Sequence, residues 1–173
     1  MPINRPLHEN TSGEHEEIVP IITSAGGGDA NKLVQTGGDG KLDNSLLPTG
    51  IGADVTVLEA SEALAAGDFV NIFDDGGTPK CRKADATSIA TKADGFVLAA
   101  VSAAANASIY RRGENNQLAG LTAGSRYFLS KDTPGDITTT APVGNNEIVQ
   151  PVGVAHSANA LDFELVRAVI RKV

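Results

Sequence analysis

The chain has 173 residues with a formal charge of −7, and 41% of its residues are hydrophobic, 20% charged and only 4% aromatic. That acidic balance argues against a nucleic-acid partner, because phosphate binding needs clustered Lys and Arg, and here the basic residues are scattered among acids. Nineteen glycines and eight prolines point to many turns rather than a helical bundle, and a single cysteine, Cys81, excludes an intrachain disulfide or a cysteine-built zinc site.

Residues 1–50 read as a separate part. The opening "MPINRPLHENTSGEHEEIVP" is polar, carries Pro2, Pro6 and Pro20, and clusters Glu14, Glu16 and Glu17. It lacks the apolar run of a signal peptide, so the expectation is a chain made and matured in the cytoplasm. No apolar run approaches the roughly 18 residues of a membrane span. Gly26 to Gly28 make a flexible joint, "KLVQT" is a short strand candidate, "GGDG" supplies residues tolerant of positive φ, and "KLDNSLLP" follows as a return element. Three basic against seven acidic residues leave this part at −4, with −3 for the rest. A disordered tail would suit that composition. A solvating tail has little use, however, for the apolar residues Ile18, Val19, Ile21, Ile22, Leu33, Leu46 and Leu47. They favour an extended arm with little regular structure that orders against a partner.

From Asp54 the hydrophobic period changes to two. "DVTVLEA" places Val55, Val57 and Glu59 on one face, and "SEALAAGD" is too short to nucleate a helix and reads as a turn into the strand "DFVNIF". "DDGGTP" is a turn cluster, from which "KCRKA" returns as a charged, edge-like strand. "ATSIATKAD" is a polar loop, and "GFVLAAV" a continuous apolar strand covered on both faces. "SIYRR", "SRYFLS", "ITTTAP", "IVQPVGVAH" and "LDFELVRAVI" follow, separated by turn signals. About eight to ten short strands at this spacing predict an all-β body over 51–173, a barrel or a sandwich. With so few aromatics, its core is expected to be built from Val, Ala, Leu and Ile.

Within "GLTAGSRYFLS" the dipeptide Ala123-Gly124 supplies a turn, and Tyr127 and Leu129 alternate with Arg126, Phe128 and Ser130. Leu121, Gly124 and Tyr127 are expected to form a structural turn, with Leu118 and Leu121 holding the preceding chain on the core. The arrangement resembles the tyrosine corner of immunoglobulin-like sandwiches, although the chain has no tryptophan and the strand spacing after the corner differs.

The residues that carry chemistry do not assemble into a reaction. His8 and His15 are seven apart rather than the four of a metalloprotease helix. His156-Ser157 with Asp162 lacks a nucleophile elbow, and strand neighbours point to opposite faces. "GGGDANK" and "GGDGK" miss the phosphate-loop spacing, and Asp39, Asp43 and Asn44 miss that of a calcium loop. No spacing pairs Asp74, Asp75, Asp85 or Asp94. The expectation is a protein that is not an enzyme, with no catalytic residue, cofactor or metal ligand assigned.

The order of motifs carries a resemblance. "EASEALAAGDFVNIF", "GTPKCRKADAT", "KADGFVLAAV", "ASIYRRGENNQLAGLTAGSRYFLS" and "IVQPVGVAHSANALDFEL" resemble the small β-barrel or β-tulip-like domains of tailed-bacteriophage capsid decoration (cement) proteins. "DANKLVQTGGDGKLDNSLLPTGIG" is similar to a segment that precedes such domains and occurs in tail-fibre N-termini. The resemblance spans about residues 29–166. It implies a homotrimer on the outer surface of the virion head, with the major capsid protein as partner and no nucleic acid, membrane or small-molecule substrate. The function would be to stabilise the shell by bridging neighbouring subunits, and the seven apolar arm residues become the candidate capsid contact. The alternative is a tail-fibre or baseplate module, for which the chain is short and lacks heptads or a β-helical repeat. A host-surface adhesin binding glycan through "RRGENNQ" is a third reading, disfavoured by the scarcity of aromatics.

Overall fold

The computed structural model describes residues 7–9, 12–38, 40–43, 46–47 and 54–172. The fold is all-β, and the chain divides into two units, Met1–Gly52 and Ala53–Val173. Asp39 and Asn44 lie outside the described residues.

In the first unit, β1 (Leu7–Glu9) and β2 (His15–Glu17) pair antiparallel. A 3₁₀ turn follows at Gly27–Asp29. Asp29 holds it, accepting from the Ala25 N–H and from Lys32 Nζ, each at 2.6 Å. The Lys32 contact, then the Ala25 N–H, keeps the Asp29 carboxyl below its ordinary range. "KLVQT" contributes one parallel bridge, Val34 with Ile21, rather than a strand. None of the residues in this unit whose side-chain exposure is described is buried. It is regular in patches and has no core of its own among them.

The second unit starts with a closed barrel. Its strands are β3 (Val55–Ala60), β4 (Phe69–Asp75), β5 (Thr78–Lys83), β6 (Gly95–Phe96) and β7 (Asn106–Tyr110), in the order β3-β5-β4-β6-β7. The β4–β5 hairpin turns through Gly76 and Gly77, with φ of 63° and 93°, the left-handed pair that a tight two-residue loop demands. β5 is not an edge, as its charge suggested: it pairs antiparallel with β4 and parallel with β3. Alternation explains the charge, because Cys81 points into the barrel while Lys80 and Arg82 point out. "GFVLAAV" also differs from expectation. Gly95 to Val97 are buried, but the strand is two residues long and Ala99 and Ala100 are exposed.

Beyond the barrel come β8 (Gly113–Asn115), β9 (Arg126–Leu129), β10 (Ile137–Thr138), β11 (Ile148–Val149), β12 (Pro151–Ala155), β13 (Leu161–Phe163) and β14 (Val169–Ile170). Five of them make an antiparallel sheet in the order β10-β9-β12-β13-β8, and β11 pairs with β14. The "IVQPVGVAH" run is thus two strands parted at Gln150, and "LDFELVRAVI" two parted by Glu164–Ala168.

There are two cores. The barrel interior is aliphatic and small: Ala60, Leu64, Val70, Cys81, Val97, Ala107 and Ile109. The other packs the outer face of β4 and β6 against the five-stranded sheet. Phe69 and Phe96 from the barrel meet Phe163 from β13 with ring centroids 5.6 and 5.7 Å apart in edge-on contact. Adjacent residues on β4, Phe69 and Val70, serve the two cores on opposite faces. The expectation of an aliphatic core holds inside the barrel; the second core is centred on three of the five phenylalanines.

Candidate functional site

Most of the polar residues singled out in the sequence are occupied in holding turns. Asp74 accepts the Gly77 N–H at 3.1 Å across the hairpin turn, and Asp75 pairs with Lys80 at 2.9 Å. Contacts with Asp75, and next with Glu59, push the Lys80 ammonium above its usual range. Asp85 accepts the Thr87 N–H at 2.8 Å. Asp94 is 7% exposed; it accepts from the Ile72 N–H at 3.0 Å and from Asn71 at 3.2 Å, and it pairs with Lys92. Such groups lock strands at the barrel rim, and each carboxylate has donors that compensate for lost water. Burial, with the charge of Glu62, pushes the Cys81 thiol up, which disfavours the thiolate a nucleophile would need.

Gln150, fully buried between β11 and β12, behaves as a piece of backbone. Its amide donates to Ala93 O and accepts the Ala93 N–H, both at 2.8 Å. The strand break at this point is therefore a bridge to the loop preceding β6.

Leu121, Gly124 and Tyr127 meet in one turn. The Tyr127 hydroxyl accepts the Thr122 N–H at 2.9 Å, Gly124 has φ of 81°, and the Leu121 and Gly124 N–H groups donate to Ala158 O and Ala155 O at 2.9 and 2.7 Å. Tyr127 and Leu129 are buried and Arg126 is exposed. The turn ties the long connection after β8 to the β12–β13 hairpin.

No family model, curated protein or solved structure matches this chain. The functional reading therefore rests on surfaces.

Two apolar surfaces stand out, one on each unit. In Met1–Gly52, Val19, Ile22 and Leu33 are exposed, while Ile18, Ile21, Leu46 and Leu47 are partly buried. In Ala53–Val173, a cleft of about 740 Å³ is lined by Ile89, Lys92, Leu165, Val166, Val169 and Ile170 among others. Leu165 and Val169 are 50% and 62% exposed. Arg167 lines the same cleft. In the sequence this C-terminal stretch reads as a strand, whereas in the structure residues 164–168 leave the sheet between β13 and β14, and Leu165 to Ala168 line the cleft. Its signal was present in "ELVRAVI", where apolar pairs flank a single arginine with no partner polar face.

His156, Glu114 and Asp162 form a further group on the five-stranded sheet. His156 Nε2 lies 3.5 Å from Glu114 Oε2 and 3.9 Å from Asp162 Oδ1. The Ser157 hydroxyl accepts the Asn159 N–H at 3.2 Å in the β12–β13 turn. His156 and Asp162 are thus brought together as a hydrolase reading would ask, while Ser157 shapes the hairpin.

Proposed function

We propose that this protein is a capsid decoration protein that binds the outer surface of a phage head as a homotrimer and bridges neighbouring major capsid protein subunits. The observation that carries the reading is the division of labour within the chain. One unit is acidic, has no buried residue among those whose exposure is described, and displays apolar side chains. The other is a densely packed β body with an aliphatic barrel and an aromatic second core. Exposed apolar residues on a segment without its own core are stabilised by burial against something else, and many weak contacts spread over several subunits clamp through effective concentration. The sequence resemblance names that something as the shell. The closed barrel, the string "LAAGDFV" that runs into its strand β4, and "GLTAGSRYFL" at strand β9 of the five-stranded sheet support this choice. Nothing in the arrangement of carboxylates, Cys81 or Ser157 favours catalysis over a mechanical role.

The test is removal of residues 1–52. The remaining body, which holds both cores, is expected to keep its oligomeric state and cooperative melting, while its binding to undecorated shells falls at least about tenfold, a change of about 1.4 kcal/mol. Co-sedimentation with shells and light scattering measure the two properties. Undiminished binding would remove the arm from the mechanism. Binding by neither form would point to the tail-fibre or baseplate alternative.

A further inference from the structure

We propose that Glu114, His156 and Asp162 form a surface site for a divalent transition-metal cation, with zinc the best-suited ion. The sequence assigns these residues no such role: His156 and Asp162 are near each other in the chain, but Glu114 is more than forty residues away and only the β8–β13 pairing brings it to them. Glu114 on β8 and Asp162 on β13 are directly opposite in register, so both carboxylates leave the same face of the sheet. His156 follows the end of β12, on the hairpin that returns into β13, where its N–H donates to Ala160 O at 3.1 Å. Each residue thus offers one donor atom, and the donors of all three lie within 4.8 Å of one another.

Two independent features point to a cation. The first is geometric. Two donors sharing one zinc ion at about 2.1 Å each lie at most about 4.2 Å apart. The imidazole-to-carboxylate separations of 3.5 and 3.9 Å already satisfy that limit. Small rotations of exposed side chains bring in the remaining pair. The second is electrostatic. Like charges directly opposite on paired strands destabilise a sheet, and among the described residues no lysine or arginine lies within ion-pair distance of Glu114 or Asp162. Among the described residues the imidazole is their only ion-pair partner within 4.0 Å, and a divalent ion held by all three would convert the repulsion into ligation. One nitrogen and two carboxylate oxygens, with open positions for water, suit zinc; the nitrogen donor disfavours magnesium and calcium, which prefer all-oxygen shells. The site sits at the edge strand β8, so ligation would tie that short edge to the β12–β13 hairpin.

The experiment is calorimetric titration of the chelator-stripped full-length chain with zinc chloride, and separately with magnesium and calcium chlorides. One zinc per chain is expected, with no comparable heat from the other two. His156→Ala, and the double variant Glu114→Gln with Asp162→Asn, should each weaken zinc at least about tenfold. All three side chains are exposed, so these variants should keep the parent's melting curve without metal. A His8→Ala, His15→Ala double variant should bind zinc as the parent does. Absence of zinc binding overturns the proposal. So does binding that survives His156→Ala but is lost with His8 and His15, or equal binding of magnesium.

Discussion

Gly153→Ala is expected to lower the stability of the body by about 4 kcal/mol or more, enough to leave the five-stranded sheet unformed at moderate temperature. Gly153 has φ of 150°, a region L side chains rarely adopt, and a Cβ built there would meet Asp162 O at 2.0 Å and Leu161 Cδ2 at 2.7 Å. The first obstacle is backbone and cannot rotate away. β12 is the middle strand of its sheet, flanked by β9 and β13, and its register with β9 shifts between Pro151 and Gly153. Separating β12 from β13 would also unseat Val152, Leu161 and Phe163 from the second core. Urea denaturation followed by circular dichroism measures the change. A midpoint close to the parent's would mean that the two strands do not approach as closely as described.

Phe96→Ala should cost about 3–5 kcal/mol, the range for deleting a buried phenyl ring without collapse of the site. Phe96 is 1% exposed, lies edge-on to Phe163, and stacks on Tyr110 with centroids 5.6 Å apart. It belongs to the barrel through β6 and to the second core through its ring, so its loss loosens the joint between barrel and sheet. Phe73→Ala is the control. That ring is only partly buried and carries the Arg82 guanidinium 4.5 Å above its centroid, an interaction of about 1 kcal/mol. Comparable losses at the two positions would contradict the placement of the second core.

The parts of this fold that were legible in the sequence are those with local causes. The Gly76-Gly77 turn, the alternation in "SRYFLS", and the turn at Gly124 follow from backbone freedom and period-two burial. What was not legible depends on partners far along the chain. Nothing local announces that β5 pairs in parallel with β3, so its outward lysines and arginine read as an edge. β8 within "RRGENNQ" carries no strand signal because it is anchored by a polar residue: Asn115 is fully buried and donates to Gly67 O at 2.9 Å. Val57 illustrates a subtler limit. The face shared by Val55, Val57 and Glu59 is the outer one, with Val57 58% exposed, while Leu58 and Ala60 pack with the barrel interior. Composition alone does not choose between two faces that are both apolar. Of the candidate site, the apolar arm residues were visible as an anomaly in an acidic segment, whereas the Leu165–Ile170 surface and the Glu114–His156–Asp162 group emerge only once the strands are paired.

The most direct test of the decoration assignment is the number of copies of this chain relative to the major capsid protein in purified particles from cells carrying its gene, measured by quantitative mass spectrometry. A ratio near one to one is the result predicted for a protein distributed over the whole shell. A handful of copies per particle, or none, would contradict it.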